Sequence, residues 1–265
     1  MSDPSPIIPN LGLFELLSGE VVSQLVQASQ CIQCPIGAEL TEVGDPCLGL
    51  YLILSGRVKV DALDALSYVT IAELGAGDVF GSVEWLSKAP WEERLVASAE
   101  TELLFVPSDR LSQLNIKYPT LQQNVERYTE RNILLTLIGA HDLFQNLTDV
   151  ERTTLLRGAR MRQHTEGTVL FDPTRRLSVL FLIAKGEVHL HSGSKIIQVL
   201  GRGAVLNVEL ALGDHNYELS ATTSSSTMIY TLPYEDVAEV LSQSGRMMEL
   251  IKLAHQRRAR AFGDL

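Results

Sequence analysis

Cysteine is scarce in this sequence: Cys31, Cys34 and Cys47 are the three present in 265 residues. So small and odd a number excludes a disulfide framework as the basis of the fold. Cys31 and Cys34 form a C-x-x-C spacing, but no second pair of ligands follows, so no zinc site is expected. The segment around them reads as an extended strand with its two thiols on opposite faces. Positive charge is also short. Lys and Arg number 22 against 32 Asp and Glu, a net charge of −10. An acidic surface repels a phosphate backbone and argues against nucleic acid as a partner. No apolar run approaches the roughly 20 residues of a membrane span. The opening MSDPSPIIPN shows neither the basic region nor the apolar stretch of a signal peptide. The expectation is a cytoplasmic protein with no membrane partner. Catalytic signatures are missing too. Gly-x-Ser-x-Gly is absent and the six histidines are scattered, so no catalytic residue is assigned and the chain reads as a non-enzyme. His189 and His191 share one strand face, but two ligands without a third do not make a metal site.

What is present is repetition. Leu13-Phe14 recurs as Leu143-Phe144, Gly37 as Gly167, and Tyr51–Val58 as Phe181–Val188, all 130 residues apart. Later landmarks are 126 apart: Gly75 and Gly77 match Gly201 and Gly203, and Pro107 matches Pro233. The change of offset means that the second copy has lost four residues in a loop, placed in the hairpin around Asp61–Tyr68. Each copy starts with a short helix, Ser18–Gln30 or Thr148–Gly158, with Ser18 and Thr148 as N-caps. Short strands punctuated by glycines follow (Leu50–Leu54, Arg57–Asp61 and Val69–Leu74 in the first copy), then a closing strand, Glu102–Val106, and helices. The pattern predicts a mainly β fold of two tandem antiparallel β-rolls, jelly-roll-like, each flanked by an N-terminal helix and C-terminal helices. The domains are read as 11–137 and 138–265 after a tail of ten residues.

The segment Gly37–Val60, with its Gly-Asp turn, aromatic-Leu-Ile strand and Ser-Gly-Arg-Val hairpin, resembles the first half of the cyclic nucleotide-binding domain. Gly75–Gly81 resembles the start of that family's phosphate-binding cassette. The second copy keeps the later glycines but has Thr174-Arg175-Arg176 in place of the Gly-Asp turn. The resemblance implies a short helix after Phe-Gly, a glutamate for the ribose hydroxyl and an arginine for the cyclic phosphate. Both copies depart from it. After Phe80-Gly81 comes Ser82 where the glutamate should stand, and Trp91 falls on the arginine. In the second copy Leu206-Asn207 replaces Phe-Gly, Val208 falls on the glutamate and Tyr217 on the arginine. Without its cation a phosphate loses about 3–5 kcal/mol, on the order of a hundred- to a few-thousandfold in affinity. Arg94 and Glu209 are the nearby residues that could stand in, and Glu84 and Ser220 complete the set of pocket residues.

Two helices are read as interaction surfaces. Leu121, Val125, Tyr128, Asn132 and Leu135 are spaced as a short heptad seam, either a homodimer face or a face packed on its own roll. Arg257, Arg258 and Arg260 crowd the end of a helix starting near Arg246, where they either cap it or meet an acidic protein or a phosphorylated ligand. Arg175-Arg176-Leu177-Ser178 matches a basic kinase-substrate pattern. The expected function is a regulatory or adaptor protein that works through partner proteins and needs no cofactor. The alternative is a sensor of a cyclic nucleotide or cyclic dinucleotide, with Trp91 or Tyr217 stacking on a base.

Overall fold

The computed structural model describes residues 12–64, 67–174, 177–213 and 219–262. The chain divides between Glu130 and Arg131 into two compact units. The division lies inside a helix, upstream of the boundary expected after residue 137.

The first unit opens with a 3-10 turn, Gly12–Leu16, and helix α1, Gly19–Ala28. Ser18 caps α1: its hydroxyl accepts the Val21 N–H at 3.4 Å. Eight strands follow: β1 (Gln30–Cys34), β2 (Glu39–Thr41), β3 (Gly49–Ser55), β4 (Arg57–Asp64), β5 (Ser67–Gly75), β6 (Val79–Phe80), β7 (Arg94–Ala97) and β8 (Thr101–Pro107). They form two antiparallel sheets, ordered β1-β8-β3-β6 and β2-β7-β4-β5. Helix α2 (Ser82–Ser87) separates β6 from β7; α3 (Ser108–Lys117) and the start of α4 (Thr120–Ala140) end the unit.

The second unit repeats this plan. After a 3-10 turn, Asp142–Phe144, comes α5 (Asp149–Gly158), whose Thr148 and Glu151 form a reciprocal capping box. Strands β9 (Arg160–His164), β10 (Val169–Phe171), β11 (Val179–Lys185), β12 (Val188–Ser192), β13 (Lys195–Leu200), β14 (Val205–Leu206), β15 (Leu219–Thr223) and β16 (Thr227–Pro233) build sheets ordered β9-β16-β11-β14 and β10-β15-β12-β13. A 3-10 turn, Val208–Leu212, takes the place of α2, and α6 (Tyr234–Gln243) and α7 (Met247–Phe262) close the unit. The length difference between the copies falls where the offset placed it. Hairpin β4–β5 pairs eight residues a side, and its counterpart β12–β13 pairs five.

Each unit has two apolar layers, which explains why β3 and β11 carry nearly unbroken apolar runs. Along β3, Leu50 and Leu52 face the helices, beside Leu25, Leu111 and Val125. Ile53 faces the inside of the roll, beside Val58, Leu95 and Leu103. A strand covered on both faces gains nothing from polar alternation. In β1, Cys31 is exposed and Cys34 is buried, and all three cysteines are free thiols.

Candidate functional site

The cassette of the first unit begins where β6 ends. Gly81 sits at φ +84°, and a Cβ there would lie 2.4 Å from the Gly49 carbonyl oxygen, so no other residue fits without moving β3. Ser82, at the start of the six-residue α2, is buried. Inside the roll, three aromatic rings from neighbouring strands stack. Tyr51 lies 4.8 Å from Phe80 and 4.6 Å from Phe105, centroid to centroid. Burial pushes the Tyr51 phenol up to about 12. Trp91 leans on this stack, 6.3 Å from Phe80 at an interplanar angle of 55°. Its backbone is clamped: Gly44 N–H donates to the Trp91 carbonyl at 2.8 Å and Trp91 N–H to the Asp45 carbonyl at 2.9 Å. Trp91 is only 5% exposed, within the apolar set of Ile53, Val58, Leu95, Ala97 and Leu103. An indole held this way stands in the roll interior.

Arg94 does not turn toward Trp91. Along β7, Leu95 and Ala97 are buried in the roll, so Arg94 projects from the opposite face. There it meets Asp61 at 3.0 Å and Glu39 at 3.2 Å, and its guanidinium lies 3.9 Å from the centre of the Tyr68 ring. A hydrogen bond from Thr70 at 2.7 Å and the Arg94 contact hold the Asp61 carboxyl below its usual range, against burial. Glu84 lines a cavity of about 410 Å³ with Cys47, Trp85 and Lys88, and Pro90, next to Trp91 in the chain, shares the lining. The structure therefore brings together Phe80, Gly81, Ser82 and Trp91, while Arg94 belongs to other surroundings.

The second cassette is built differently. Asn207 stands where the first copy has Gly81, in the same left-handed region at φ 61°. Its side-chain amide donates to the Val179 carbonyl at 2.8 Å and to that of Leu177 at 3.3 Å. Val179 is the counterpart of Gly49. In the first copy the absence of a side chain lets that carbonyl approach; in the second a hydrogen bond occupies the space. Val208 is fully buried among the helices, with Leu180, Leu182 and Leu250. Ser220 is not a pocket residue: Leu219 and Ala221 point into the roll, and Ser220 pairs with His191 on the other face. Tyr217 lies outside the described residues, as do Arg175 and Arg176; Ser178 is exposed. His189 bonds Glu187 at 3.1 Å, and among the described residues no group of three metal-ligating side chains forms.

The two helices read as surfaces each turn part of their face inward, the first in the second of the two ways left open for it. Leu121, Val125 and Tyr128 are buried in the core of the first unit, and the Tyr128 hydroxyl accepts the Val79 N–H at 3.0 Å. Beyond them Asn132 and Leu135 are half-buried, while Leu134, Leu137 and Ile138 take the buried positions in the second unit. The heptad is therefore not one continuous free face. Arg258 and Arg260 are exposed, but Arg257 is 5% exposed. It falls in line with Leu250 and Ala254, on the face that α7 turns inward. Its electrostatic neighbour is Glu209, 2% exposed, whose carboxyl burial pushes up and Arg257 pulls back down. The four-three spacing of 250, 254 and 257 was the signal for this placement.

Two rolls of eight strands, each with a short helical turn between its sixth and seventh strands, define a tandem β-roll module. The family model described as the cyclic nucleotide-binding domain matches residues 32–118 and again 161–244. The chain belongs to the cyclic nucleotide-binding domain family and carries two copies. Among curated relatives, it is 29% identical over 131 residues to lysophospholipase NTE1 of Kluyveromyces lactis, covering 47% of this chain and 9% of that protein. It is 27% identical over 175 residues to the voltage-gated delayed rectifier potassium channel KCNH1 of Rattus norvegicus, covering 63% and 17%. The chain thus spans less than a fifth of the length of these relatives. Among solved structures, the regulatory domain of Toxoplasma gondii PKA with cAMP aligns over 95% of each chain at 15% identity and a TM-score of 0.44. A cyclic nucleotide-binding domain from Methylobacillus flagellatus aligns over 49% of this chain and 76% of that one, at 29% identity and a TM-score of 0.44. No helix among the described residues is long and apolar enough to cross a membrane.

Proposed function

We propose that this chain is a non-enzymatic regulatory module, cytoplasmic, whose rolls no longer take a cyclic mononucleotide and which acts by contacting partner proteins. The observation that carries this reading is Trp91: an aromatic ring, 5% exposed, packs inside the first roll, and the sequence reading sets it against the family's phosphate-binding arginine. Phosphate transferred into that apolar set would lose its water and gain no cation. In the second copy Asn207 and Val208 spend their side chains on the fold itself. Arg94, the cation that the sequence reading offered as a stand-in, is committed to Asp61 and Glu39.

The test is to purify the protein untagged from its own cells and to identify what accompanies it. A stoichiometric protein partner and no nucleotide in the denatured supernatant is the expected result. A cyclic nucleotide or dinucleotide released on denaturation overturns the proposal in favour of a sensor.

A further inference from the structure

The two rolls carry different residues on the outward face of one sheet. In the first unit, Lys59 on β4 stands opposite Glu73 on β5, and Asp61 stands opposite Arg94 on β7. Arg57 lies 3.8 Å from Glu73 and Arg94 lies 3.0 Å from Asp61, so the charges there satisfy one another. The second unit keeps the register and changes the residues. Glu187, His189 and His191 occupy the places of Arg57, Lys59 and Asp61. Across from His189 stand Val199 on β13 and Thr222 on β15; across from His191 stand Ile196 and Ser220. None of these four carries a charge, so neither imidazole faces an ionic partner across the sheet.

Side chains alternate along β12. Val188 and Leu190 are buried in the roll, so His189 and His191 both face outward. Their ring centroids are 6.2 Å apart. With metal–nitrogen bonds of about 2.0 Å, two imidazoles on one ion place their centroids roughly 5–6 Å apart. Small rotations about the side-chain bonds close that difference. The His189 side chain is 28% exposed and His191 is half-buried, so both are open to solvent. Glu187 supplies what the sequence spacing did not show. Its Oε1 lies 3.1 Å from His189 Nε2 and accepts the Ser224 hydroxyl at 2.8 Å. A carboxylate only accepts, so Nε2 carries the proton and Nδ1 keeps its lone pair for a metal. Ligating histidines in metal sites are held in this way, the second ring nitrogen bonded to a carboxylate.

We propose that His189 and His191 form an open surface site for a divalent transition ion of the imidazole-binding class, zinc(II) among them. Water fills the remaining positions of the ion, and Glu187 is the positioning residue. Two protein ligands do not make a closed structural site; they make one that takes up and releases its ion from solvent. The net charge of −10 draws cations toward the chain. The first roll has no such site at this place, because Lys59 and Asp61 stand where the second has its imidazoles.

The test is equilibrium dialysis of the untagged full chain against zinc(II), with the histidine ring protons followed by NMR. One zinc per chain is expected in the micromolar range. The rings of His189 and His191 should shift together while those of the other four histidines stay in place. Glu187→Gln should weaken binding about tenfold, and His189→Ala and His191→Ala should each weaken it at least as much. All three positions lie on the outer face of the roll, so without metal the variants should unfold like wild type; if one does not, the ring shifts of the wild type decide alone. Zinc that moves neither ring or only one of the two, or that binds the alanine variants as tightly as wild type, overturns the proposal. Equal affinity in Glu187→Gln overturns the part given to Glu187.

Discussion

Replacing Trp91 by alanine removes the side chain that fills the first roll. The ring is 5% exposed and packs against Phe80 and the Ile53–Leu95 set. A buried indole hides about 150–250 Å², worth about 4–6 kcal/mol at roughly 25 cal/mol per Å². Measured truncations of buried aromatic residues cost about 3–5 kcal/mol, and that lower range is the expectation here. For a unit of this size the midpoint of unfolding should fall by roughly 10–20 °C. The assay is favourable, because both tryptophans, Trp85 and Trp91, lie in the first unit. Trp85 remains as the fluorescent probe in the variant and reports that unit alone. Trp91→Phe should lose much less, since it keeps a ring against Phe80. Added indole should restore part of the stability of Trp91→Ala by entering the apolar cavity. A loss below about 1 kcal/mol would refute the claim that this ring is the packing of the roll.

Gly81→Ala should destabilise the first unit by about 3 kcal/mol or more, read by the same fluorescence, because its Cβ would meet the Gly49 carbonyl at 2.4 Å. Asn207→Ala should cost the second unit about 2–4 kcal/mol by urea unfolding, the sum of two lost hydrogen bonds and a left-handed backbone; Asn207→Gly should cost less, because glycine accepts φ 61°. Asp61 is held below its usual range by Thr70 and Arg94. The stability it contributes is therefore full above the unfolded carboxyl value near pH 4 and is lost as pH falls through the lower folded value. Asp61→Asn should remove that part of the acid sensitivity while leaving the rest of the pH profile in place.

Much of the architecture is written in local pattern. The 130-residue repeat, the switch to 126 and the capping residues Ser18 and Thr148 are all visible in the chain as written, and they correspond to the paired rolls, the shortened hairpin and the caps of α1 and α5. The residues read as departures in the cassettes, Ser82, Trp91, Asn207 and Val208, are placed by counting from glycines and prolines along the chain. What each replacement does is not local. Asn207 acts on a carbonyl 28 residues away. Arg94 is drawn off by Asp61, its partner across strands β4 and β7. Nothing along the chain marks either contact. The seam on α4 shows a limit of periodicity, which identifies an apolar face but not what covers it. Leu121, Val125 and Tyr128 fit a dimer pattern, and they are covered by the first unit's own core. Arg257 shows the converse, a charge whose helical phase with Leu250 and Ala254 places it inside.

The central claim is that neither roll takes a cyclic mononucleotide. The direct measurement is the unfolding midpoint of the purified full chain against cyclic AMP and cyclic GMP, from micromolar to millimolar, with 5′-AMP as the non-cyclic control. A ligand at 100 times its dissociation constant raises stability by about 2.7 kcal/mol, a shift of several degrees for one unit. The account predicts no shift with either cyclic nucleotide beyond that of the control at any concentration. A saturable shift specific to a cyclic nucleotide, with half-effect in the micromolar range, would contradict it.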